Sequence, residues 1–201
     1  MSLTCLSDFS APKQGTAVCL GTFDGVHKGH QALVKATLEA AKKNAFIPCA
    51  YTFDIPPARL FHAGSAEVLT ELPEKAALLQ AYGIEEVVYS RFTKELAALS
   101  PQAFFEEILL HRLNAKHLVI GFHYRFGSRA AGGADELKTY CEQAGIGLTV
   151  IEPVRLPNGE LISSTAIRAL LQKGDEQAAL DMLGHSLKMM EKEEAAQTKS
   201  C

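Results

Sequence analysis

The sequence predicts an α/β protein, a Rossmann-like parallel sheet with helices on both faces. Three observations carry that prediction. Short apolar runs alternate with segments of helical periodicity along most of the 201 residues, which implies parallel strands joined by right-handed crossovers. The apolar run Ala17-Val18-Cys19-Leu20 hands over to a helix-like segment at 31–43 through a turn rich in glycine and histidine. Towards the end of the chain a second helix start, Ile162-Ser-Ser-Thr-Ala-Ile-Arg168, gathers hydroxyls and a cation on its first turns.

Taken in order, the strand candidates are residues 16–21, 47–53, 86–90, 117–121 and 148–153. Helix candidates lie between them at 30–43, 73–82, 101–112 and 134–143. Ser100 followed by Pro101 reads as an N-cap with proline at the first helical position. Gly83 and Gly145 read as C-terminal stops. Ser163 or Ser164 caps a helix carrying 166–172, and a last helix runs from Asp175 to near Gly184. From Lys188 the chain turns charged and unpatterned. This predicts one domain over 1–187 and a frayed helix or disordered tail over 188–201.

Composition narrows the function classes. A formal charge of −3 and no long basic run argue against a nucleic-acid surface. Cys5, Cys19, Cys49, Cys141 and Cys201 are scattered, without a CxxC pair, which points to a reducing cytoplasm and no disulfide framework. No leader peptide and no membrane-length apolar run are evident. His62, His111, His117 and His185 carry no motif and are read as structural.

The chemistry concentrates in Gly21-Thr-Phe-Asp-Gly-Val-His-Lys-Gly-His30. At a strand-to-helix junction, free backbone N–H groups and the positive helix end favour a bound phosphate. Glycines admit close approach of a ligand, and histidines donate to phosphoryl oxygens as charge builds on them. Walker A does not fit, because Val26 and His30 follow Gly25 and Gly29. Nor does G-x-G-x-x-G, because of the spacing of Gly21 and Gly25. No Cys or acidic set near His27 and His30 completes a metal site. Ser163, Ser164, Thr165 and Arg168 form a second anion-binding cluster.

These motifs resemble the HxGH nucleotidyltransferase superfamily. Phe23-Asp-Gly-Val-His27 is most similar to the FMN adenylyltransferase module of prokaryotic FAD synthetases. The likeness runs over about residues 14–187, with Tyr51-Thr-Phe-Asp-Ile-Pro-Pro57, Gly121-Phe-His-Tyr-Arg-Phe-Gly127 and Ile162–Arg168 in family order. The family's riboflavin kinase module is expected to be absent. Two elements depart from the pattern: Ile55 and Pro56 stand for a proline and a histidine, and His123 for an Asp or Asn.

The resemblance implies an enzyme that transfers AMP from ATP to FMN, giving FAD and pyrophosphate, with Mg²⁺ accompanying ATP. It assigns ATP to Gly21, Thr22, Phe23, Asp24, Gly25, His27, His30, Ser163, Ser164, Thr165 and Arg168. His27, His30 and Arg168 act at the reacting phosphates. Asp24 reads equally as an outer partner of them or as a turn carboxylate. Flavin contacts fall to Phe53, Pro56, Pro57, His123, Tyr124, Arg125 and Phe126. Arg125 and Arg129 are either FMN-phosphate contacts or solvated charges, and 127–133 is a candidate flap. A different phosphate-ester acceptor, or a flavin- or nucleotide-binding protein impaired in catalysis, are the alternatives. No nucleic-acid or membrane partner and no protein-held metal are expected.

Overall fold

In the computed structural model of the chain, residues 2–61 and 68–187 are described. Six strands, β1 (Ser2–Cys5), β2 (Thr16–Leu20), β3 (Ile47–Phe53), β4 (Glu86–Ser90), β5 (Ala115–Gly121) and β6 (Gly147–Ile151), form one sheet. Its order is β1-β4-β3-β2-β5-β6, and every pairing is parallel. The five expected strands fall within two residues of their predicted ends. β1 was not expected. It is short, lies at the sheet edge and pairs Ser2 with Glu86 through Cys5 with Tyr89. Only that distant partner makes it a strand.

The helices are α1 (Lys28–Asn44), α2 (Pro57–Phe61), α3 (Leu72–Ala81), α4 (Lys94–Ala98), α5 (Pro101–Ala103), α6 (Ala134–Ala144), α7 (Ser164–Gln172) and α8 (Glu176–Leu183). Helix α5 runs directly into a π-helix, Phe104–Arg112. The expected single helix over 101–112 is therefore mostly π-helical. Its buried Phe104 and Leu109 are five residues apart, and the wider repeat keeps both on the face against the sheet. Ser100 caps α5 by accepting the Ala103 N–H, and Gly145 closes α6 in the left-handed conformation, both as the sequence predicts. The short helices α2 and α4 carry no periodicity long enough to be read in advance.

Strand residues alternate between two cores. Val18, Leu20, Tyr51, Val88, Leu118 and Ile120 face the π-helix and α6, meeting Phe104, Phe105, Leu109, Leu137 and Cys141. Cys19, Ala50, Val87 and Val119 face α1 and α3, meeting Leu33, Val34, Ala76 and Leu79. Each fully buried Leu or Ile contributes about 1.5–3 kcal/mol. A third core joins α7 and α8 to Leu69 and Ile162. Cys19 and Cys49 are buried thiols. The tail at 188–201, with Cys201, and His62 lie outside the described residues.

The sheet grows outward from β2, to β3 and β4 on one side and to β5 and β6 on the other. The carboxyl end of β2 is thus the topological switch point, where α/β sheets open a crevice for ligands. The glycine- and histidine-rich turn begins there.

Candidate active site

The turn that follows β2 is tight and strained. Phe23 (φ 50°), Gly25 (φ 77°) and Val26 (φ 38°) all adopt left-handed conformations. For a β-branched valine this is a rare state, of the kind that clusters at functional sites. The left-handed φ of 77° favours glycine at 25, and a Cβ there would also crowd Leu69.

Asp24 holds this turn in place. Its Oδ1 accepts the Leu69 N–H at 2.8 Å and the Thr70 N–H at 3.1 Å. Its Oδ2 accepts from Arg168 Nη1 at 2.6 Å, and its carbonyl accepts the Ser164 hydroxyl at 2.8 Å. Gly25 N–H donates to Thr70 Oγ1 at 2.9 Å, and Gly25 O lies 3.0 Å from His185 Nε2. The expected phosphate-binding helix α7 is thereby tied to the histidine turn through one carboxylate. Asp24 is a turn carboxylate with a bracing role, and Ser163, not Ser164, caps α7 by accepting the Ala166 N–H at 3.2 Å.

Helix α1 begins with the two histidines. His27 is its N-cap: Nδ1 accepts the His30 N–H at 3.4 Å, which leaves the ring proton on Nε2. The His27 and His30 rings stack with centroids 3.7 Å apart. Gly29 makes room for this, since a Cβ there would meet the His27 ring at 3.0 Å. Burial pulls the His27 pKa down to about 4, with His185 adding to the effect. Burial lowers that of His30 as well, followed by the charges of His27 and Lys75. Both imidazoles are therefore neutral at pH 7 and act as N–H donors, not as cations.

These rings open onto a cavity of about 960 Å³ beyond the carboxyl ends of the strands. Of the expected ATP residues, Gly21, Thr22, His27, His30 and Ser163 line it. Of the expected flavin residues, Phe53, Pro57, His123, Tyr124, Arg125 and Phe126 line it. Phe23, Asp24, Gly25, Ser164, Thr165, Arg168 and Pro56 do not; Phe23 is fully buried against the α1 and α3 core. Arg168 keeps a quarter of its side chain exposed and reaches Thr165 Oγ1 at 3.5 Å.

The opposite wall is looser. Phe122 is 50 % exposed and meets His123 edge-on, while Tyr124 and Phe126 stack at 5.9 Å. Burial raises the Tyr124 hydroxyl well above the ordinary tyrosine range. Phe126 and Gly132 pair across the loop, within which Arg129 and Ala130 are left-handed. Lys94, Phe122 and Glu152 also line the cavity and went unread in the sequence. A basic residue opening a short exposed helix and an acid on the chain after β6 carry no periodic signal. Phe122 sat inside a recognised motif, and its place next to His123 was the available clue. Among the described residues no group of three or more His, Cys, Asp or Glu could hold a metal ion. None of their helices is long and apolar enough to cross a membrane.

A family model described as FAD synthetase matches residues 9–166. The chain is 34 % identical over 176 residues to the bifunctional riboflavin kinase/FMN adenylyltransferase of Escherichia coli (strain K12), covering 87 % of this chain and 56 % of that one. It is 33 % identical to the FAD synthetase of Listeria monocytogenes, covering 86 % and 70 %. The chain thus spans little more than half the length of the Escherichia coli relative. A crystal structure described as a macrolide-efflux protein from Streptococcus pneumoniae superposes with a TM-score of 0.83 at 30 % identity, covering 93 % of this chain and 63 % of that one. Pantothenate synthetase from Thermus thermophilus, at 16 % identity and a TM-score of 0.50 over 90 % of this chain and 82 % of that one, shares the fold.

Proposed function

Because the chain belongs to the FAD synthetase family, we propose that it transfers AMP from MgATP to FMN, releasing FAD and pyrophosphate. The stacked neutral pair of His27 and His30, facing a cavity with room for two nucleotides, carries this reading. A terminal FMN phosphate oxygen attacks the α-phosphorus of ATP. The new P–O bond forms as the bond to pyrophosphate breaks, and no covalent enzyme intermediate is needed. Such a reaction asks for positioning and for donors aimed at developing charge. Neutral imidazole N–H groups meet that demand without a proton transfer.

The first turn of α7 would receive the departing phosphates. Ser163 lies on the cavity wall, and Thr165 with the exposed part of Arg168 extends the site outward. Asp24 and Ser164 would act through position, by fixing α7 against the histidine turn. Mg²⁺ would accompany ATP and offset charge on its phosphates, with Ser163 and the first turn of α7 holding the phosphates from the protein side. Phe53, Phe122 and Pro57 offer apolar faces to the flavin ring, and Arg125 or Arg129 a charge to its phosphate.

The test is FAD and pyrophosphate formation from MgATP and FMN, followed by chromatography, with riboflavin in a parallel reaction. FAD from FMN supports the proposal. ATP binding without FAD, or turnover only with another phosphate ester, would transfer the reading to a binding protein or to a different acceptor.

A further inference from the structure

The carbonyls of residues 24–27, which make up the histidine turn, are each held, and the last two by one residue. Asp24 O accepts the Ser164 hydroxyl, and Gly25 O faces His185 Nε2 at 3.0 Å. The next two belong to Gln31. Its side-chain Nε2 donates to Val26 O at 2.9 Å, and its backbone N–H donates to His27 O at 3.0 Å. The peptide groups on both sides of the His27 Cα are therefore fixed by the residue that follows His30.

The same side chain reaches across the molecule. Gln31 Nε2 also donates to Leu183 O at 2.7 Å, 152 positions further along the chain. Leu183 is the last residue of α8, and its carbonyl is one of those a helix leaves without an internal partner. A primary amide carries two N–H hydrogens, so both are used, and the amide must face this way because neither carbonyl can donate. Gly184 ends α8 in the left-handed conformation, and a Cβ there would lie 3.2 Å from Lys28 Cε and 3.5 Å from Gln31 Oε1. The end of α8 thus rests on the first turn of α1. One residue on, His185 adds its contact to Gly25 O, with its Nδ1 at 2.7 Å from Ser186 O. Val26 needs such neighbours. Its left-handed conformation is disfavoured for a β-branched residue and persists only where the surroundings over-determine it.

We propose that Gln31 is a positioning residue for adenylyl transfer: its side-chain amide bridges the strained turn and the end of α8, and thereby fixes the pose in which His27, stacked on His30, meets the ATP phosphates. This rests on the phosphoryl-transfer reading of the site. Gln31 is half-buried and does not line the cavity. It acts through the two peptide groups that carry His27. A displaced donor loses its worth at the transition state, while ground-state binding, shared among many contacts, changes little. The effect therefore belongs in kcat.

The bridge is read first in the wild-type chain, from the exchange of the Gln31 side-chain amide hydrogens by NMR. Two accepted bonds should slow it roughly tenfold or more against a solvated glutamine. Gln31→Met keeps the length and helix preference and removes both donors. Gln31→Glu keeps the shape and turns oxygen toward both carbonyls. In each we expect the ring-proton signals of His27 and His30, displaced in the wild type by the stack at 3.7 Å, to move toward those of free imidazole. We also expect kcat to fall roughly ten- to a hundredfold, with KM for ATP little changed. Ring signals that stay in place in a folded variant overturn the proposal, and so does a loss confined to KM. If neither variant folds, the wild-type exchange decides: amide hydrogens that exchange as fast as those of a solvated glutamine overturn it. Exchange and ring signals are read without turnover, so absence of FAD formation in the wild type would sink the functional proposal alone.

Discussion

The two walls of the cavity are built in opposite ways. On the histidine wall, Asp24 joins three chain segments and compels Phe23 and Val26 into left-handed conformations. On the facing wall, Phe122 stands half in solvent, and Arg129 and Ala130 are held by turn hydrogen bonds and a single bridge. Of the departures from the family pattern, His123 lies on this facing wall, whereas Pro56 lies off the cavity. Under the proposed adenylyl transfer, the difference follows from what each wall would recognise. Charge developing on phosphoryl oxygens rewards donors fixed in advance. A flat ring is bound by apolar area, which several side chains can supply.

The comparison breaks most visibly at His30. His30→Ala should lower kcat by about 10²–10³-fold with the fold retained, the loss typical of one transition-state donor. Steady-state kinetics beside a thermal melt checks this, and unchanged turnover would remove His30 from the mechanism. Next comes the brace. Asp24→Ala deletes two accepted amide hydrogen bonds and a partly exposed ion pair, so we expect a loss of about 2–4 kcal/mol and a Tm lower by roughly 5–15 °C. An unshifted melt would mean that the turn holds itself.

Acid should probe the same wall through His27. Its folded pKa, about 4, lies below the unfolded value of 6.5, so the unfolded chain takes up the proton first. Stability is full above pH 6.5 and drains away as pH falls toward 4, by on the order of 3 kcal/mol. Urea titrations at pH 7 and pH 4.5 measure it, and a flat profile would show that the ring charges freely. The smallest effect belongs to the opposite wall. Phe122→Ala should raise KM for FMN by about three- to tenfold and leave KM for ATP alone. Equal changes in both constants would mean that the walls do not act separately.

Much of the fold was legible because five strands and the long helices carry their own periodicity. β1 was hidden because Ser-Leu-Thr-Cys becomes a strand only when β4 arrives beside it. The site was half legible. Its motifs announced themselves, yet a motif does not say which of its members turn inward. Phe23, Asp24 and Arg168 read as ligand contacts, whereas tertiary contacts with Leu69, Thr70 and α7 make the first two part of the frame.

The Asp24–Arg168 pair joins residues 144 apart in the chain. Contacts so distant in sequence close late, since the loop entropy between them must be overcome first. During synthesis the strands can assemble while the histidine turn still lacks its final brace. The brace on the histidine turn thus closes only once α7 has emerged, so an assembled turn reports that this part of the chain has finished folding.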